Sequence, residues 1–322
     1  MKAHKAFLDF NFIIIICVLL LVFIASPTNI YGQDDVIRVN TDLVTVPATV
    51  IDRNGRYVTN LRKEDFQVFE DGVEQEIALF EPTEQAFTVL FLLDTSGSIK
   101  DYIADLARAA NVFVSKLRPD DELIAVTFFD QINTLFQATK IRDLQAGIKL
   151  KQRVRERDTI VYDAVDNALK KMKKVRGRKA IVLFSDGIGS GYFATAKSNL
   201  RDAEEQEALI YTVQFGTFPA EPPRNVSKKY YFKRIEEING YMRDLALKTG
   251  GRYYHIEEIA DLEKTFGEVA KELGRQYSLG YYPKNTPEAG QRRQIKVKIR
   301  QPNLSVRARD SYIIESTKTR QK

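Results

Sequence analysis

The sequence predicts an α/β fold: a Rossmann-like open, mostly parallel sheet with helices on both faces, joined to a β-sandwich-like module built from N- and C-terminal strands. Between residues 87 and 273, short apolar runs alternate with stretches whose apolar residues recur at helical spacing. Continuous apolar strands between helices are typical of a parallel sheet covered on both faces. The segments before and after this region instead alternate residue by residue, as half-buried strands do.

The composition limits the chemistry that the chain can carry out. Its 322 residues allow roughly two domains. Hydrophobic residues at 44% exclude a disordered chain, and charged residues at 29% exclude a protein with many membrane spans. Cys17 is the single cysteine, which excludes a disulfide framework, and His4 and His255 are the two histidines. The net charge of +6 is small for a chain with this many ionised groups, so function must rest on carboxylates, hydroxyls, basic groups or shape.

Residues 1–32 have the layout of a secretory signal peptide. Lys2 and Lys5 precede an apolar run over residues 12–25, and a polar stretch ending at Gly32 follows it. The run is shorter than the roughly 20 residues that a membrane-spanning helix needs. We therefore expect cleavage near Gly32 and export to the periplasm or the cell exterior. An uncleaved signal, anchored in the inner membrane, is the alternative.

The predicted domains follow from the change in periodicity. Residues 33–84 form an N-terminal β segment, in which Asp71-Gly72 joins apolar runs at 66–69 and 77–80 as a hairpin turn. Residues 85–273 form the α/β domain, and residues 274–315 form a C-terminal β segment. Each β segment is too small for a good core of its own, so we expect the two to pair. The polar tail, residues 316–322, is expected to be disordered.

Within the α/β domain, strands and helices are predicted to alternate along the chain. Apolar stripes at helical spacing begin at Ile103, Tyr162, Ile235 and Ile259. The apolar runs that predict strands cover residues 87–93, 123–129, 180–184, 208–215 and 253–256.

Carboxylates and hydroxyls follow the predicted strands at the ends where open parallel sheets bind their ligands. Asp94, Ser96 and Ser98 come directly after the first strand, Thr159 precedes the helix at Tyr162, and Asp186 follows the strand at 180–184. Oxygen ligands, several of them neutral, suit a hard divalent cation. Two adjacent carboxylates would also repel each other without a cation. We therefore predict a divalent-metal site, with Mg²⁺ favoured over Mn²⁺ or Ca²⁺.

These five residues resemble the metal-ion-dependent adhesion site of the von Willebrand factor type A domain, whose pattern is Asp-x-Ser-x-Ser followed by a distant Thr and a distant Asp. The resemblance covers residues 87–273. It implies that the three hydroxyls bind the metal, that the two carboxylates bind it directly or through waters, and that a partner's acidic group takes an open coordination position. With the segments 66–72 and 277–283 and the signal peptide, the whole chain also resembles secreted VWFA-related proteins abundant in Acidobacteria.

Other residues are expected around this site. Asp130, after a strand, and Asp158, before Thr159, are candidates for supporting the metal ligands from behind, although a solvated loop also explains such carboxylates. Asp163 is interpreted as a helix-start residue. Two long connections, residues 187–199 and 216–234, should leave the sheet at the same edge. Their aromatic residues predict a partner-binding surface, unless they fold back onto the core: Tyr192, Phe193, Tyr230, Tyr231 and Phe232.

The alternatives to a binding module are weaker. Asp94 and Asp186 could serve as an aspartic-protease pair, but that family is all-β, and a phosphoryl-transfer enzyme would need a phosphate loop that the sequence lacks. The basic residues of 292–309 are interpreted as a solvated face, and no nucleic-acid module accompanies them. The sequence thus favours an exported, non-catalytic module that binds an Asp or Glu of a protein partner through a divalent metal. A structural scaffold with a vestigial metal site is the main alternative.

Overall fold

The computed structural model describes residues 43–82, 85–151, 158–216, 218–285 and 288–314. They all belong to one structural unit of the chain, Thr41–Lys322. The predicted signal peptide and C-terminal tail lie outside the described residues. None of the helices in the described ranges is long and apolar enough to cross a membrane.

The described residues contain strands in three sheets and five α-helices. The helices are α1 (Ile103–Ser115), α2 (Val161–Lys173), α3 (Ala196–Glu204), α4 (Lys228–Lys248) and α5 (Leu262–Leu273). The strands, in chain order, are β1 (Val44–Asp52), β2 (Phe66–Glu70), β3 (Val73–Gln75), β4 (Ile77–Glu81), β5 (Thr88–Asp94), β6 (Glu122–Phe128), β7 (Ile132–Lys140), β8 (Lys179–Ser185), β9 (Leu209–Phe215), β10 (Tyr253–Ile256), β11 (Tyr277–Tyr281), β12 (Arg292–Ile299), β13 (Leu304–Arg307) and β14 (Ser311–Ile313).

The central sheet has six strands in the order β10-β9-β8-β5-β6-β7. All neighbouring strands are parallel except β6 and β7, which are antiparallel. The strand β7 was not predicted from the sequence. Its side chains are mostly half-buried or exposed because it forms an edge of the sheet, so it has no continuous apolar run.

Helices cover both faces of this sheet, as predicted. On strand β5, Val89, Phe91 and Leu93 pack with the apolar sides of α1 and α5. Leu90 and Leu92, which point the other way, pack with α2, α3 and α4. The strand is buried on both sides and is therefore apolar throughout. This arrangement confirms the predicted open α/β fold with a mostly parallel sheet.

Two further four-stranded sheets each combine strands from both ends of the described chain. Their orders are β13-β1-β11-β4 and β14-β12-β2-β3. Residues from both sheets share one apolar core, including Val46, Val68, Tyr277 and Leu279. Within these sheets, β1 pairs with β11 and β13, and β2 pairs with β12.

The predicted hairpin at Asp71-Gly72 forms with a different second strand. Both turn residues have positive φ, as a tight hairpin turn requires. However, β2 pairs with the short strand β3, whereas the run predicted as its partner forms β4 and pairs with β11 in the other sheet. The prediction was wrong because β3 is only three residues long, with Val73 and Glu74 exposed, and carries no apolar pattern.

Buried acidic residues link the helices of the α/β region to these outer sheets. Glu272 on α5 is almost fully buried and forms an ion pair with Arg307 on β13. Glu204 on α3, equally buried, binds Arg292 on β12 through both carboxylate oxygens. These pairs fix the helices against the sheets because breaking one would remove the arginine that pairs with a buried carboxylate.

Candidate metal centre

The first carboxylate of the predicted site, Asp94, is fully buried at the end of β5. Its Oδ1 accepts a 2.8 Å hydrogen bond from the Ser96 backbone N–H. Its Oδ2 accepts a 2.6 Å bond from the hydroxyl of Ser185, which ends the neighbouring strand β8. Both carboxylate oxygens are therefore held in place by residues of two adjacent strand ends.

The two serine hydroxyls of the Asp-x-Ser-x-Ser motif lie side by side. Ser96 Oγ and Ser98 Oγ are 3.0 Å apart. Between them the chain begins a short 3-10 helix, Gly97–Tyr102, which is fixed below by the fully buried Ile99. Thr95 fixes the other side, because its N–H and its hydroxyl both donate to the Phe128 carbonyl at the end of β6.

The second carboxylate, Asp186, follows β8 and is 9% exposed. Its Oδ1 accepts a 2.8 Å hydrogen bond from the Ile188 N–H, and the nearby Ser98 hydroxyl favours its charged form. Gly187 makes the turn behind it with a φ of +78°. A Cβ at that position would lie 2.8 Å from Ile238 on α4, so close packing also requires glycine here.

The electrostatics of the pair favour a cation between the two carboxylates. Burial, followed by the nearby Asp186 carboxylate, raises the pKa of Asp94 to about 7. Burial also raises the pKa of Asp186. Two buried carboxylates that are both costly to ionise are stabilised when a cation lies between them.

Thr159 is brought to the same edge by backbone contacts. Its carbonyl accepts a 2.8 Å hydrogen bond from the Ser190 N–H, and the next residue, Ile160, donates to the Phe129 carbonyl at the end of β6. A Cβ on Gly189 would come within 2.5 Å of the same Thr159 carbonyl. The Thr159 segment therefore lies between the end of β6 and the loop that follows Asp186.

The two carboxylates predicted to support the ligands differ in exposure. Asp130 is half-buried directly after Phe129, while the side chain of Asp158 is exposed. Within the described residues, no group of three or more His, Cys, Asp and Glu side chains could hold a metal. The site is thus built from two carboxylates and neutral hydroxyls.

Ser185 and Asp163 have roles that were not predicted from the sequence. The Ser185 hydroxyl accepts a 2.9 Å hydrogen bond from the Gly187 N–H while it donates to Asp94, so it joins both halves of the site. Asp163, in the first turn of α2, accepts hydrogen bonds of 2.7, 3.0 and 2.8 Å from three successive backbone N–H groups, those of Tyr192, Phe193 and Ala194. Ser185 adjoins Asp186 in the sequence, which was the available signal, whereas nothing local marks Asp163 as a loop anchor.

The aromatic residues predicted to form a partner-binding surface, called the rim, are largely exposed. In the first connection, Tyr192 is 71% exposed and Phe193 is 94% exposed. That connection is shorter than predicted, because α3 begins at Ala196 with Thr195 as its capping residue.

The second connection was predicted wrongly as a loop up to residue 234. Residues 228–234 form the first turns of α4, whose N-terminus is capped by the Ser227 side chain. The helix was missed because these residues are mostly exposed and show no apolar stripe. Tyr230 and Phe232 remain exposed on it, whereas Tyr231 folds back and donates a 2.8 Å hydrogen bond to the Pro219 carbonyl.

Residues 89–188 match the family model of the von Willebrand factor type A domain. We call the α/β region that contains this match the type A domain. The match spans the segment from β5 through Asp186 and so includes all five predicted metal ligands. The finer resemblance, to secreted relatives from Acidobacteria, stays a prediction. A search of curated protein sequences found no match.

Solved structures of von Willebrand factor type A domains and other proteins align with the chain at low identity. The ArnB paralog VWA2 from Sulfolobus acidocaldarius is 15% identical, with 85% of this chain and 75% of that chain covered and a TM-score of 0.44. The von Willebrand factor type A protein from Catenulispora acidiphila is 12% identical, with 86% and 74% covered and a TM-score of 0.40.

A third aligned structure is proximal thread matrix protein 1 from the mussel byssus, in a form with zinc in its metal-ion-dependent adhesion site. It is 13% identical to this chain, with 62% of this chain and 48% of that chain covered and a TM-score of 0.42. The chain therefore spans about half the length of the mussel protein.

Proposed function

We propose that this chain is an exported, non-catalytic protein-binding module whose type A domain holds a divalent cation through Asp94, Ser96, Ser98, Thr159 and Asp186. The observation that carries the proposal is the pair of buried carboxylates at one sheet edge, Asp94 and Asp186, each with a raised pKa. A cation would offset the cost of ionising both groups.

The donor set fits a hard cation, with Mg²⁺ favoured and Mn²⁺ or Ca²⁺ as alternatives. Its donors are carboxylate and hydroxyl oxygens, and the hydroxyls of Ser96 and Ser98 are 3.0 Å apart. When bound, the cation would supply a Lewis-acidic position for a carboxylate of a protein partner. Ser185 would orient Asp94 from behind, as hydrogen-bonding groups around metal ligands commonly do.

The exposed rim supports a protein partner that presents Asp or Glu. Tyr192, Phe193 and Tyr230 are 71%, 94% and 65% exposed, and aromatic side chains are enriched among the residues that dominate protein interfaces. On the same first turns of α4 as Tyr230, Lys228 and Lys233 form exposed ion pairs with Glu221 and Glu237, which an acidic partner would replace. We propose that these residues set partner choice beside the metal.

Metal binding is tested by isothermal titration of the metal-free protein with Mg²⁺. We expect saturable binding with one site, and loss of binding in Asp94→Asn. Asp310→Asn is the matched control, since it removes an exposed carboxylate between β13 and β14 and should bind as the unmodified protein does. Absence of binding, or equal binding by both variants, would reject the metal site.

The binding function is tested by capturing protein partners with the immobilised chain in Mg²⁺ and in EDTA. Partners that are released by EDTA and not captured by Asp94→Asn support the proposal. Capture that is the same in all three conditions would support the scaffold with a vestigial metal site instead. Phosphatase activity that exceeds that of Asp94→Asn would favour a magnesium-dependent hydrolase.

A further inference from the structure

A cavity of about 550 Å³ lies between the type A domain and the sheet that contains β1, β4 and β11. Phe87, Ala180 and Leu209 line it, and they lie at the amino ends of β5, β8 and β9. Asp94 ends β5, and Asp186 directly follows β8. The cavity is therefore at the opposite edge of the sheet from the candidate metal centre, and its volume is typical of a small-molecule site.

One wall of the cavity is apolar. It is formed by side chains from both parts of the fold, among them Pro47 and Leu79 on the outer sheet and Leu209 and Leu273 on the type A domain. Because neither part alone encloses this space, the cavity exists only where the two parts meet. Such a wall suits a hydrocarbon or aromatic body, which loses contact with water when it enters.

The other wall is cationic. Two acidic residues, Glu81 and Glu207, line the cavity. The end of α2, the connection that follows it and the start of β8 contribute five basic residues: Lys173, Lys174, Arg176, Arg178 and Lys179. Glu207 is already engaged, since its Oε1 accepts a 3.3 Å hydrogen bond from the Thr45 N–H on β1. The basic residues come from one short segment, in which Arg178 also donates to the Gln85 and Leu273 carbonyls and Lys179 to the Val175 carbonyl.

The lowered pKa values of two basic residues in this wall agree with a site for negative charge. Burial, followed by the neighbouring Arg118, lowers the pKa of Arg178 to about 10. Burial also lowers the pKa of Lys179. Cations whose charged form is disfavoured in this way would be stabilised by an anionic group beside them.

We propose that this cavity binds an amphipathic organic carboxylate, with its apolar body against Pro47, Leu79 and Leu273 and its carboxylate at the basic segment 173–179. The apolar wall selects against a bare inorganic anion, and the basic wall selects against a neutral or cationic amphiphile. The ligand would span the type A domain and the outer sheet. Its binding would thus stabilise the contact between them.

The proposal is tested by calorimetry on the full chain with three probes that share one ten-carbon tail: decanoate, decanol and decyltrimethylammonium. EDTA is present throughout, so that a carboxylate cannot bind through a metal at Asp94, and each probe stays below its micelle concentration. We expect decanoate to bind about tenfold more tightly than decanol, which is the effect of one charge-assisted hydrogen bond. Decyltrimethylammonium and inorganic phosphate should not bind.

Two variants locate the binding site. Lys179→Met should weaken decanoate binding about tenfold and leave decanol binding unchanged. Leu79→Trp fills the apolar wall from a half-buried position and should weaken both probes. Lys197→Met, which removes an exposed lysine on α3 outside the cavity, is the control. Equal affinity for all three head groups, binding unaffected by both cavity variants, or no binding of decanoate would each overturn the proposal.

Discussion

Ser185 connects the Asp94 carboxylate to the turn that follows Asp186 through one hydroxyl group. It donates a 2.6 Å hydrogen bond to Asp94 Oδ2 and accepts a 2.9 Å bond from the Gly187 N–H, in the turn directly after Asp186. Ser185 is fully buried, so water cannot replace either bond. The orientation of Asp94 and the turn at Asp186 are therefore set by the same atom.

Replacing Ser185 with alanine should weaken the proposed metal site without removing a ligand. The change leaves Asp94 Oδ2 without its hydroxyl donor and the Gly187 N–H without its acceptor. We expect Mg²⁺ affinity to fall about 10–100-fold, the usual effect of losing a group that orients a ligand. Ser190→Ala is the matched control, because Ser190 bonds to Thr159 and Tyr162 through its backbone. Titration calorimetry measures both, and equal affinities would contradict the role given to Ser185.

Asp94→Asn should stabilise the metal-free protein while it abolishes metal binding. The amide removes a buried group whose ionisation is costly, yet its oxygen can still accept the Ser96 N–H. We expect the free energy of unfolding in EDTA at pH 8 to rise by about 2 kcal/mol. Urea denaturation measures the change. A variant that is less stable than the parent in EDTA would show that Asp94 is not strained by burial and repulsion.

The stability of the metal-free protein should depend on pH in a direction that Asp94 sets. Its pKa is about 7 in the folded chain and near 3.8 when unfolded, so the folded state holds the proton more tightly. The free energy of unfolding is therefore unaffected by this group below pH 4, falls as the pH rises from 4 to 7, and stays low above 7.

Mg²⁺ should reverse this loss, because it binds the deprotonated carboxylate. The increase in melting temperature on adding Mg²⁺ should be larger at pH 8 than at pH 5. Asp94→Asn should lose most of the fall between pH 4 and 7. Calorimetric melting curves across this range provide the measurement, and a metal-induced shift that grows toward acid pH would contradict the assignment.

Asp163 should control the order of the loop that presents Tyr192 and Phe193. Asn at this position has one acceptor oxygen in place of two, so it cannot satisfy all three backbone N–H donors. We expect Asp163→Asn to cost about 1–3 kcal/mol of stability and to speed hydrogen exchange of residues 192–194. Asp166→Asn, one turn along the same helix and paired with Lys170, is the control. Unchanged exchange in this loop would show that Asp163 does not anchor it.

Sequence patterns predicted the parallel sheet and the position of the site residues at one edge of it because both depend on general rules. Apolar runs mark strands buried on two faces, and ligands collect at the carboxyl ends of such strands. Asp94, Ser96, Ser98 and Asp186 follow these rules directly. By contrast, β7 and the first turns of α4 are largely exposed, so their apolar periodicity is weak.

The contacts that escaped prediction connect residues distant in the chain. Ser185 reaches back to Asp94, and Asp163 reaches forward to the Tyr192 loop. No local pattern encodes such contacts, since they depend on the packing of separate elements. The pairing of β4 with β11, in place of β2, was missed for the same reason, because β11 lies about 200 residues further along the chain.

The sharing of the outer sheets between both ends of the chain also constrains the order of folding. Strands β1 and β2 are synthesised first, yet their partners β11, β12 and β13 come only after the whole type A domain. During synthesis, the early strands therefore keep unpaired backbone edges until the last part of the chain emerges. A chain truncated after α5 would keep these edges open permanently, so its early strands would be exposed to aggregation.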